Sequence, residues 1–187
     1  QIPCYNEESS LPVTLKALPK KIDGIDEIQV LIIDDGSKDR TVEVAKELGV
    51  ENFVIMPHNS GLARAFVAGI NKALALDADI IVNTDADNQY CADDIENLVK
   101  PIISGEADIV IGSRPVSEIE HFSPLKKLLQ KLGSSVMRLI SSTDVEDAPS
   151  GFRAFSRNSA IQLNVFDNYT YTLETIIQAR AKGLQLK

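Results

Sequence analysis

Short apolar runs alternate along the chain with longer amphipathic stretches. The short runs are rich in β-branched residues and indicate strands, whereas the stretches between them repeat apolar residues at helical spacing. The predicted strands span residues 28–33, 53–56, 80–83, 109–111 and 152–155. The predicted helices span residues 10–18, 41–48, 62–76, 93–103 and 172–182. This alternation is typical of a parallel sheet with crossover helices and predicts an α/β fold.

Turn and cap residues set the predicted limits of two helices. Residues 37–39 are polar and are predicted to cap the helix over 41–48, and Gly49 is predicted to end it. Pro101 falls inside the predicted helix over 93–103 and should kink it or end it early, because proline lacks the amide hydrogen.

The chain is predicted to form one domain over residues 1–187, since no linker, repeat or shift in composition divides it. We interpret Gln1 and Lys187 as cuts at both ends of a domain from a longer protein. No apolar run reaches the roughly 18 residues of a membrane span. Cys4 and Cys91 form no disulfide framework. We therefore expect a reducing location, either in the cytoplasm or at the cytoplasmic face of a membrane.

Composition and charge restrict the class of partner. The chain is 44% hydrophobic and 25% charged, as in ordinary globular proteins. Its net charge of -8 argues against nucleic-acid binding, which normally requires a basic face. An anionic substrate is still compatible, because a divalent cation can reverse the sign of charge inside a cleft.

Polar clusters are predicted to meet at one edge of the sheet. Ligands of parallel sheets bind beyond the carboxyl ends of the strands, and four clusters stand at such ends. The clusters are Tyr5-Asn6-Glu7-Glu8, Asp34-Asp35-Gly36-Ser37, Asp85-Ala86-Asp87 and Ser113-Arg114.

Two of these clusters allow a binding and a structural interpretation. In extended backbone Asp85, Asp87 and Gln89 would project to one side and present oxygen ligands to Mg²⁺ or Mn²⁺, yet the same residues also form ordinary turns. Asp35 either accepts hydrogen bonds from a base or ribose, or belongs to a strand-to-helix turn that caps the next helix.

The ordered set of motifs resembles the family-two glycosyltransferases. The resemblance rests on residues 3–8, 34–39, 85–89 and 112–114, and residues 150–153 (Ser-Gly-Phe-Arg) resemble the branch of dolichyl-phosphate mannose synthases and related polyprenyl-phosphate glycosyltransferases. It covers nearly the whole chain. It implies a GT-A-type fold, the nucleotide-diphospho-sugar transferase fold, which is a three-layer α/β/α sandwich with a mostly parallel central sheet.

The resemblance also implies roles for individual residues. Asp85 and Asp87, with Gln89, would hold the metal, and Asp87 and Arg114 would be catalytic. The substrate-binding residues would be Pro3, Tyr5, Glu7, Ile33, Asp35, Asp85, Ala86, Arg114, Lys127 and Lys131. Lys127 and Lys131 depart from the Arg and Ser that relatives often carry for the acceptor phosphate.

The implied function is inverting, metal-dependent transfer of a sugar from a nucleoside-diphosphate sugar to a polyprenyl phosphate, with a membrane surface as a possible partner of the full-length protein. No carboxylate stands out as the base that a hydroxyl acceptor would need, which favours a phosphate acceptor. Transfer to a glycan hydroxyl and a non-catalytic nucleotide-sugar-binding subunit are the alternatives.

Overall fold

The computed structural model describes residues 1–113, 147–166 and 170–187. The strands of this part are β1 (Ile2–Cys4), β2 (Leu31–Asp34), β3 (Asn52–Ile55), β4 (Ile80–Asn83), β5 (Ile109–Ile111) and β6 (Arg153–Ser156). The helices are α1 (Leu11–Ala17), α2 (Thr41–Glu47), α3 (Leu62–Ala75), α4 (Ile95–Ile103), α5 (Arg157–Gln162) and α6 (Thr172–Ala181). A 3-10 turn over Ala92–Asp94 precedes α4.

The described strands form one sheet in the order β3-β2-β1-β4-β6-β5. Strands β1, β2 and β3 pair in parallel, whereas β6 lies between β4 and β5 and runs antiparallel to both. Two backbone hydrogen bonds join the halves: the Gln1 nitrogen donates to the Val82 carbonyl (2.6 Å) and the Thr84 amide donates to the Gln1 carbonyl (3.2 Å). This is the bonding pattern of parallel neighbours. The predicted, mostly parallel sheet is confirmed, with β6 as the antiparallel exception.

Helices cover both faces of this sheet because alternate strand residues point in opposite directions. On one face Ile33 and Phe155 pack with residues of α3 and α6. On the other face Ile32 packs with residues of α1 and α2, and Val110 packs with residues of α4. Burial of each such side chain contributes about 1.5–3 kcal/mol. The result is the predicted three-layer α/β/α sandwich.

Most predicted elements are confirmed, and two predictions are wrong. Strand β2 begins at Leu31 and not at Ile28, because the described neighbouring strands start opposite Leu31 and Ile32, at Asn52 and Ile2. Of the two effects predicted for Pro101, only the early end of α4 is wrong: the helix continues to Ile103, because Pro101 lies in its last turn, where a missing amide costs one intrahelical hydrogen bond.

The turn after β2 requires a glycine. Gly36 has a φ of 73°, in the left-handed region that glycine adopts without strain. A Cβ atom at this position would also lie 2.6 Å from the backbone of His58. The absence of a side chain thus lets the turn pack directly on the segment that leads into α3.

Candidate active site

Three of the four predicted polar clusters, those after β1, β2 and β4, lie at one edge of the sheet, and of the fourth only Ser113 belongs to the described residues. Strands β1, β2, β4 and β5 share one direction, so their carboxyl ends lie together. Because β6 runs the opposite way, its amino end reaches this same edge and brings Ser150 and Gly151 there. The direction of β6 is not visible in its apolar pattern, and its contribution to the site was missed for that reason.

The loops that follow β1 and β2 are joined by a set of hydrogen bonds that we call the cross-loop clamp. Each bond pairs a backbone amide of one loop with a side-chain oxygen of the other. The pairs are Asn6 N to Ser37 Oγ (2.9 Å), Glu7 N to Thr41 Oγ1 (2.8 Å), Glu8 N to Asp39 Oδ2 (3.1 Å), Lys38 N to Asn6 Oδ1 (2.8 Å) and Arg40 N to Glu8 Oε2 (3.0 Å). The clamp therefore holds the two loops together at one side of the site.

Three predicted nucleotide-binding residues lie on or beside this clamp. Pro3 is half-buried in β1. The side chain of Tyr5, just after β1, is 42% exposed, so its ring is available to a ligand. Glu7 is half-buried, and its carboxylate accepts a hydrogen bond from the Ser10 hydroxyl.

Asp35 caps the start of α3. Its Oδ1 accepts the amide of Ser60 (2.7 Å) and its Oδ2 accepts the amide of Gly61 (2.9 Å). Asp35 is only 5% exposed, and Gly61 is the N-cap of α3. An anionic acceptor at this position also interacts favourably with the helix dipole. Asp35 therefore has a structural role in the turn after β2, but the amides that it binds precede α3 and not α2, the next helix in the chain, and a ligand contact would be additional to this role.

Ile33 occupies the core and not the surface of the site. Its side chain is fully buried and packs in the cluster that contains Ala65 and Phe66 of α3. Any contact between Ile33 and a nucleotide would therefore have to be made by the main chain.

The acidic turn, residues 84–89, follows β4 but is not extended. The strand ends at Asn83, residues 86 and 87 form a turn, and Asn88 has a φ of 57°. The expectation that Asp85, Asp87 and Gln89 alternate along extended backbone is therefore wrong. Asp87 and Gln89 are exposed, and Asp87 Oδ1 accepts the Gln89 amide (3.1 Å).

Ala86 anchors this turn to the body of the domain. Its side chain is 4% exposed and packs in the cluster that contains Ile2 and Leu11. Its carbonyl accepts the hydroxyl of the buried Thr14, in α1, at 2.7 Å. Ala86 therefore holds the backbone between the two carboxylates in a fixed place.

The carboxylate of Asp85 lies against Gly151, at the amino end of β6. A Cβ atom on Gly151 would be 3.3 Å from Asp85 Oδ1 and 3.5 Å from Oδ2. The Gly151 amide donates to the Tyr90 hydroxyl (3.3 Å). The structure thus brings the Ser-Gly-Phe-Arg motif into contact with the acidic turn, although the two are far apart in sequence.

Arg153 is a buried cation directly behind this contact. It is 0% exposed and donates four hydrogen bonds, to the carbonyls of Ala148 (2.6 Å), Ser150 (2.7 Å) and Thr172 (2.7 Å) and to Thr175 Oγ1 (2.7 Å). Burial lowers the pKa of the Arg153 guanidinium to about 10, against smaller favourable effects of Tyr171 and Asp147, so it remains charged at neutral pH.

The oxygen ligands of the acidic turn suit a hard divalent cation. Within residues 1–113, 147–166 and 170–187, no group of three or more His, Cys, Asp or Glu side chains is arranged to hold a metal alone. Mg²⁺ in proteins is often held by one or two carboxylates together with substrate phosphates. The carboxylates of Asp85 and Asp87, on either side of the anchored Ala86, are chemically suited to a metal of that kind.

A cavity among the described residues lies away from the candidate site. A cavity of about 510 Å³ lies near the amino ends of β2 and β4, lined in part by Leu31 and Ile80, and none of the predicted site residues lines it. Arg114, Lys127 and Lys131 lie outside the described residues. In the part of the chain that the structure describes, no helix is long and apolar enough to cross a bilayer.

Comparisons with known proteins agree with this arrangement. The family model "Glycosyl transferase family 2" matches residues 1–163. The chain is 35% identical to a UDP-N-acetylglucosamine–dolichyl-phosphate N-acetylglucosaminyltransferase of Methanococcus voltae, over 84% of this chain and 68% of the relative. It is 30% identical to an undecaprenyl-phosphate mannosyltransferase of Micrococcus luteus, over 98% of this chain and 76% of the relative.

A solved structure supports the fold independently. The chain resembles glucosyl-3-phosphoglycerate synthase from Mycobacterium tuberculosis, crystallised with Mn²⁺, UDP-glucose and phosphoglyceric acid, with a TM-score of 0.76 and 21% identity. The match covers 97% of this chain and 64% of the synthase chain. The family model, the relatives and the shared architecture agree: the chain belongs to glycosyl transferase family 2 and is a glycosyltransferase domain with the GT-A fold.

Proposed function

We propose that the full-length protein transfers a sugar from a nucleoside-diphosphate sugar to a polyprenyl phosphate. The observation that carries the proposal is the anchored acidic turn, whose Asp85 and Asp87 flank the buried Ala86 at the edge where the cross-loop clamp also lies. The relatives from Methanococcus voltae and Micrococcus luteus support the acceptor class, since they are named as transferases for dolichyl phosphate and undecaprenyl phosphate.

The donor nucleotide is proposed to bind beside the cross-loop clamp. The exposed Tyr5 ring offers an apolar face to a base, and Pro3 and Glu7 lie on the same strand and loop. Asp35 already accepts two amides, but an ionised carboxylate has about four acceptor positions and can also receive ribose hydroxyls. The main chain at Ile33 would complete this side.

Asp85, Asp87 and Gln89 are proposed to hold Mg²⁺ or Mn²⁺ together with the diphosphate, with Ala86 lining the diphosphate site. The Mn²⁺ and UDP-glucose in the crystals of the Mycobacterium tuberculosis synthase support this choice of ion and ligand. A metal at this site would supply charge neutralisation for the departing diphosphate. Asp85 and Asp87 would orient the donor by fixing where its phosphate oxygens lie.

The acceptor phosphate is proposed to attack the anomeric carbon from the face opposite to the leaving group. A bond forms from the phosphate oxygen to this carbon while the bond to the diphosphate breaks, which inverts the configuration. A phosphate with a second pKa near ~6 is already mostly ionised at neutral pH, so no general base is required. Arg114, Lys127 and Lys131 are proposed to bind the acceptor phosphate. A polyprenyl chain would confine the reaction to the surface of a membrane, on its cytoplasmic face.

Metal-dependent donor binding tests the role of the acidic turn. Calorimetry with UDP- and GDP-linked sugars, with and without Mn²⁺, should detect binding that Asp85→Asn and Asp87→Asn each weaken by about tenfold or more, or 1.4 kcal/mol. Asp93→Asn is the matched control, because Asp93 is exposed and lies in the 3-10 turn beyond the site. Unchanged affinity in both turn variants would overturn the metal assignment.

The acceptor is tested by the fate of radiolabelled sugar. Transfer to added polyprenyl phosphate places the label in an organic-extractable product. A water-soluble product would instead identify a hydroxyl acceptor, such as a glycan or a small phosphorylated molecule. Donor binding with neither transfer nor hydrolysis in the full-length protein would identify a non-catalytic nucleotide-sugar-binding subunit.

A further inference from the structure

A buried polar network lies directly beneath the acidic turn. Asn83, the last residue of β4, is fully buried, and its Nδ2 donates to the Gly151 carbonyl (2.9 Å) and to the Tyr171 hydroxyl (2.9 Å). The Tyr171 hydroxyl in turn donates to the Gly151 carbonyl (3.2 Å). Its ring stacks on Phe66 with a centroid distance of 3.7 Å. Burial raises the pKa of the Tyr171 hydroxyl above its usual range, so the hydroxyl stays protonated and able to donate.

The network fixes Gly151 in contact with the Asp85 carboxylate. A Cβ atom added to Gly151 would lie 3.1 Å from Tyr171 Oη and 3.3 Å from Asp85 Oδ1. The φ of Gly151 does not lie in the left-handed region, so its backbone does not itself require glycine. Lack of space between the Tyr171 hydroxyl and the Asp85 carboxylate is therefore the reason that a side chain is excluded here.

Arg153 fixes the same segment from behind. Its guanidinium holds the carbonyls of Ala148 and Ser150 and, at its other end, the carbonyl of Thr172 at the start of α6. A buried cation is costly to desolvate and is retained only where its hydrogen bonds are well satisfied. One side chain thus ties residues 148–150 to α6, and the next residue, Gly151, has little freedom to move away from Asp85.

We propose that Gly151, held in place by Arg153, is a positioning residue for the Asp85 carboxylate. The proximity of Gly151 limits the orientations of that carboxylate, so the carboxylate is pre-organised before the metal and the diphosphate bind. This inference rests on the proposed function of Asp85 and extends it to a residue in another motif. Gly151 itself would touch neither the metal nor the donor.

Gly151→Ala tests the inference in the full-length protein. The added methyl group would lie 3.1 Å from Tyr171 Oη and 3.3 Å from Asp85 Oδ1, both tighter than an ordinary contact, so we expect the hydroxyl and the carboxylate to shift by a few tenths of an ångström. We expect the Mn²⁺ concentration for half-maximal donor binding to rise about tenfold. The fold-change in kcat at saturating Mn²⁺ should be smaller than this tenfold change. The thermal unfolding midpoint without metal should remain close to that of the wild type.

Arg153→Lys is the second variant, and Ala154→Gly is the control. Lysine keeps the charge but cannot reproduce the planar guanidinium bonds, so we expect a rise of about threefold in the same Mn²⁺ concentration. Ala154 is fully buried in β6 and packs with Val110 and Phe152 on the α4 side of the sheet. Loss of its methyl group should lower the unfolding midpoint and leave the Mn²⁺ dependence within about twofold of the wild type.

The outcomes separate this inference from the proposed function. If the wild type shows no Mn²⁺-dependent donor binding, the proposed metal site itself is wrong, and the positioning role fails with it. If the wild type binds but the Mn²⁺ dependence of Gly151→Ala is unchanged, only the positioning role is overturned.

The second variant and the control cover the remaining outcomes. Should Gly151→Ala fail to fold, an unchanged Mn²⁺ dependence in a folded Arg153→Lys would overturn the positioning role equally. A shift in Ala154→Gly as large as that in Gly151→Ala would show a general effect of destabilisation and would also overturn it.

Discussion

At the scale of single residues, Asp35 stabilises the start of α3 through both of its carboxylate oxygens. These oxygens accept the amides of Ser60 and Gly61, which precede the helix and would otherwise need other partners. Asp35 directly follows β2, and its carboxylate links this strand to the amides that precede α3. A ligand that binds Asp35 would therefore bind a residue that also stabilises the fold. Binding and stability are therefore coupled at this residue.

Asp35→Asn should lower the free energy of unfolding by about 1–3 kcal/mol in the absence of ligand. The side-chain NH₂ group of asparagine cannot accept a hydrogen bond, so the backbone amide of Ser60 or Gly61 would lose its acceptor. Urea unfolding followed by circular dichroism measures this loss. Asp93→Asn, at an exposed aspartate, should change the free energy by no more than about 0.5 kcal/mol. An equal, small effect of the two substitutions would contradict the capping role.

The chemistry of single residues was only partly predictable from the sequence. Asp35 could be assigned to a turn, but its partners are Ser60 and Gly61, and such distant pairing depends on the tertiary fold. The acidic turn was located correctly after β4, whereas its backbone shape was not. A left-handed Asn88 breaks the alternation that strand geometry would impose, and sequence alone does not fix that conformation.

At the scale of elements, the cross-loop clamp joins two loops whose residues are largely polar. Thr41 donates through its hydroxyl (2.5 Å) and its amide (3.0 Å) to Asp39 Oδ1, while Asp39 Oδ2 accepts the amide of Glu8. Burial acts to raise the pKa of the Asp39 carboxyl, but the hydrogen bonds from Thr41 and Glu8 outweigh it and lower this pKa below its ordinary value. The clamp is therefore strongest when Asp39 is ionised.

This pKa shift predicts how the clamp responds to acid. A carboxyl whose pKa is lower in the folded state stabilises the fold above its unfolded pKa of about 3.9, and this stabilisation disappears as pH falls through the folded pKa. Asp39→Asn should therefore have a lower thermal unfolding midpoint than the wild type at pH 7. The difference should shrink steadily below about pH 4. A difference that does not vary between pH 7 and pH 3 would contradict an ionised Asp39 in the clamp.

The elements themselves were largely predicted. Helices α2, α3 and α6 end within one residue of their predicted limits, since apolar spacing and caps such as Gly49 are local signals. The start of β2 was not predicted, because a strand begins where its neighbours begin. The parallel sheet with crossover helices followed from the alternation of strands and helices, and the three-layer sandwich was implied by the family resemblance. The reversed direction of β6 was not predicted, because the apolar pattern of a strand carries no direction.

At the scale of the whole molecule, the sheet is rigid at its centre and exposed at the edge that carries the site. Strand β2 is buried along its length and pairs on both sides. In contrast, residues 87–89 are exposed, and the described residues at this edge follow β1, β2 and β4 or precede β6. A ligand at this edge would therefore order segments that lie far apart along the chain.

Hydrogen exchange should reveal this division. Amides of β2 should exchange most slowly, and those of residues 87–89 should exchange fast in the absence of ligand. Mn²⁺ together with the nucleotide sugar should slow exchange in residues 5–8 and 85–89 by at least about tenfold, while α2 changes little. Equal protection by the nucleotide sugar without Mn²⁺ would argue against a metal bridge.

The antiparallel β6 has a consequence for how this domain can diversify. The Gly112 amide donates to the Phe152 carbonyl at 2.8 Å, so the segment over residues 113–151 starts and finishes at neighbouring points on the rim. The entropy of closing such a loop depends only weakly on its length. The chain between those two points can thus change in length at little cost in closure entropy, provided that residues 148–151, which Arg153 and Tyr171 hold beside the acidic turn, are kept. If Arg114, Lys127 and Lys131 bind the acceptor phosphate as proposed, exchange of residues 114–146 for a relative's segment should change the acceptor and leave donor binding intact.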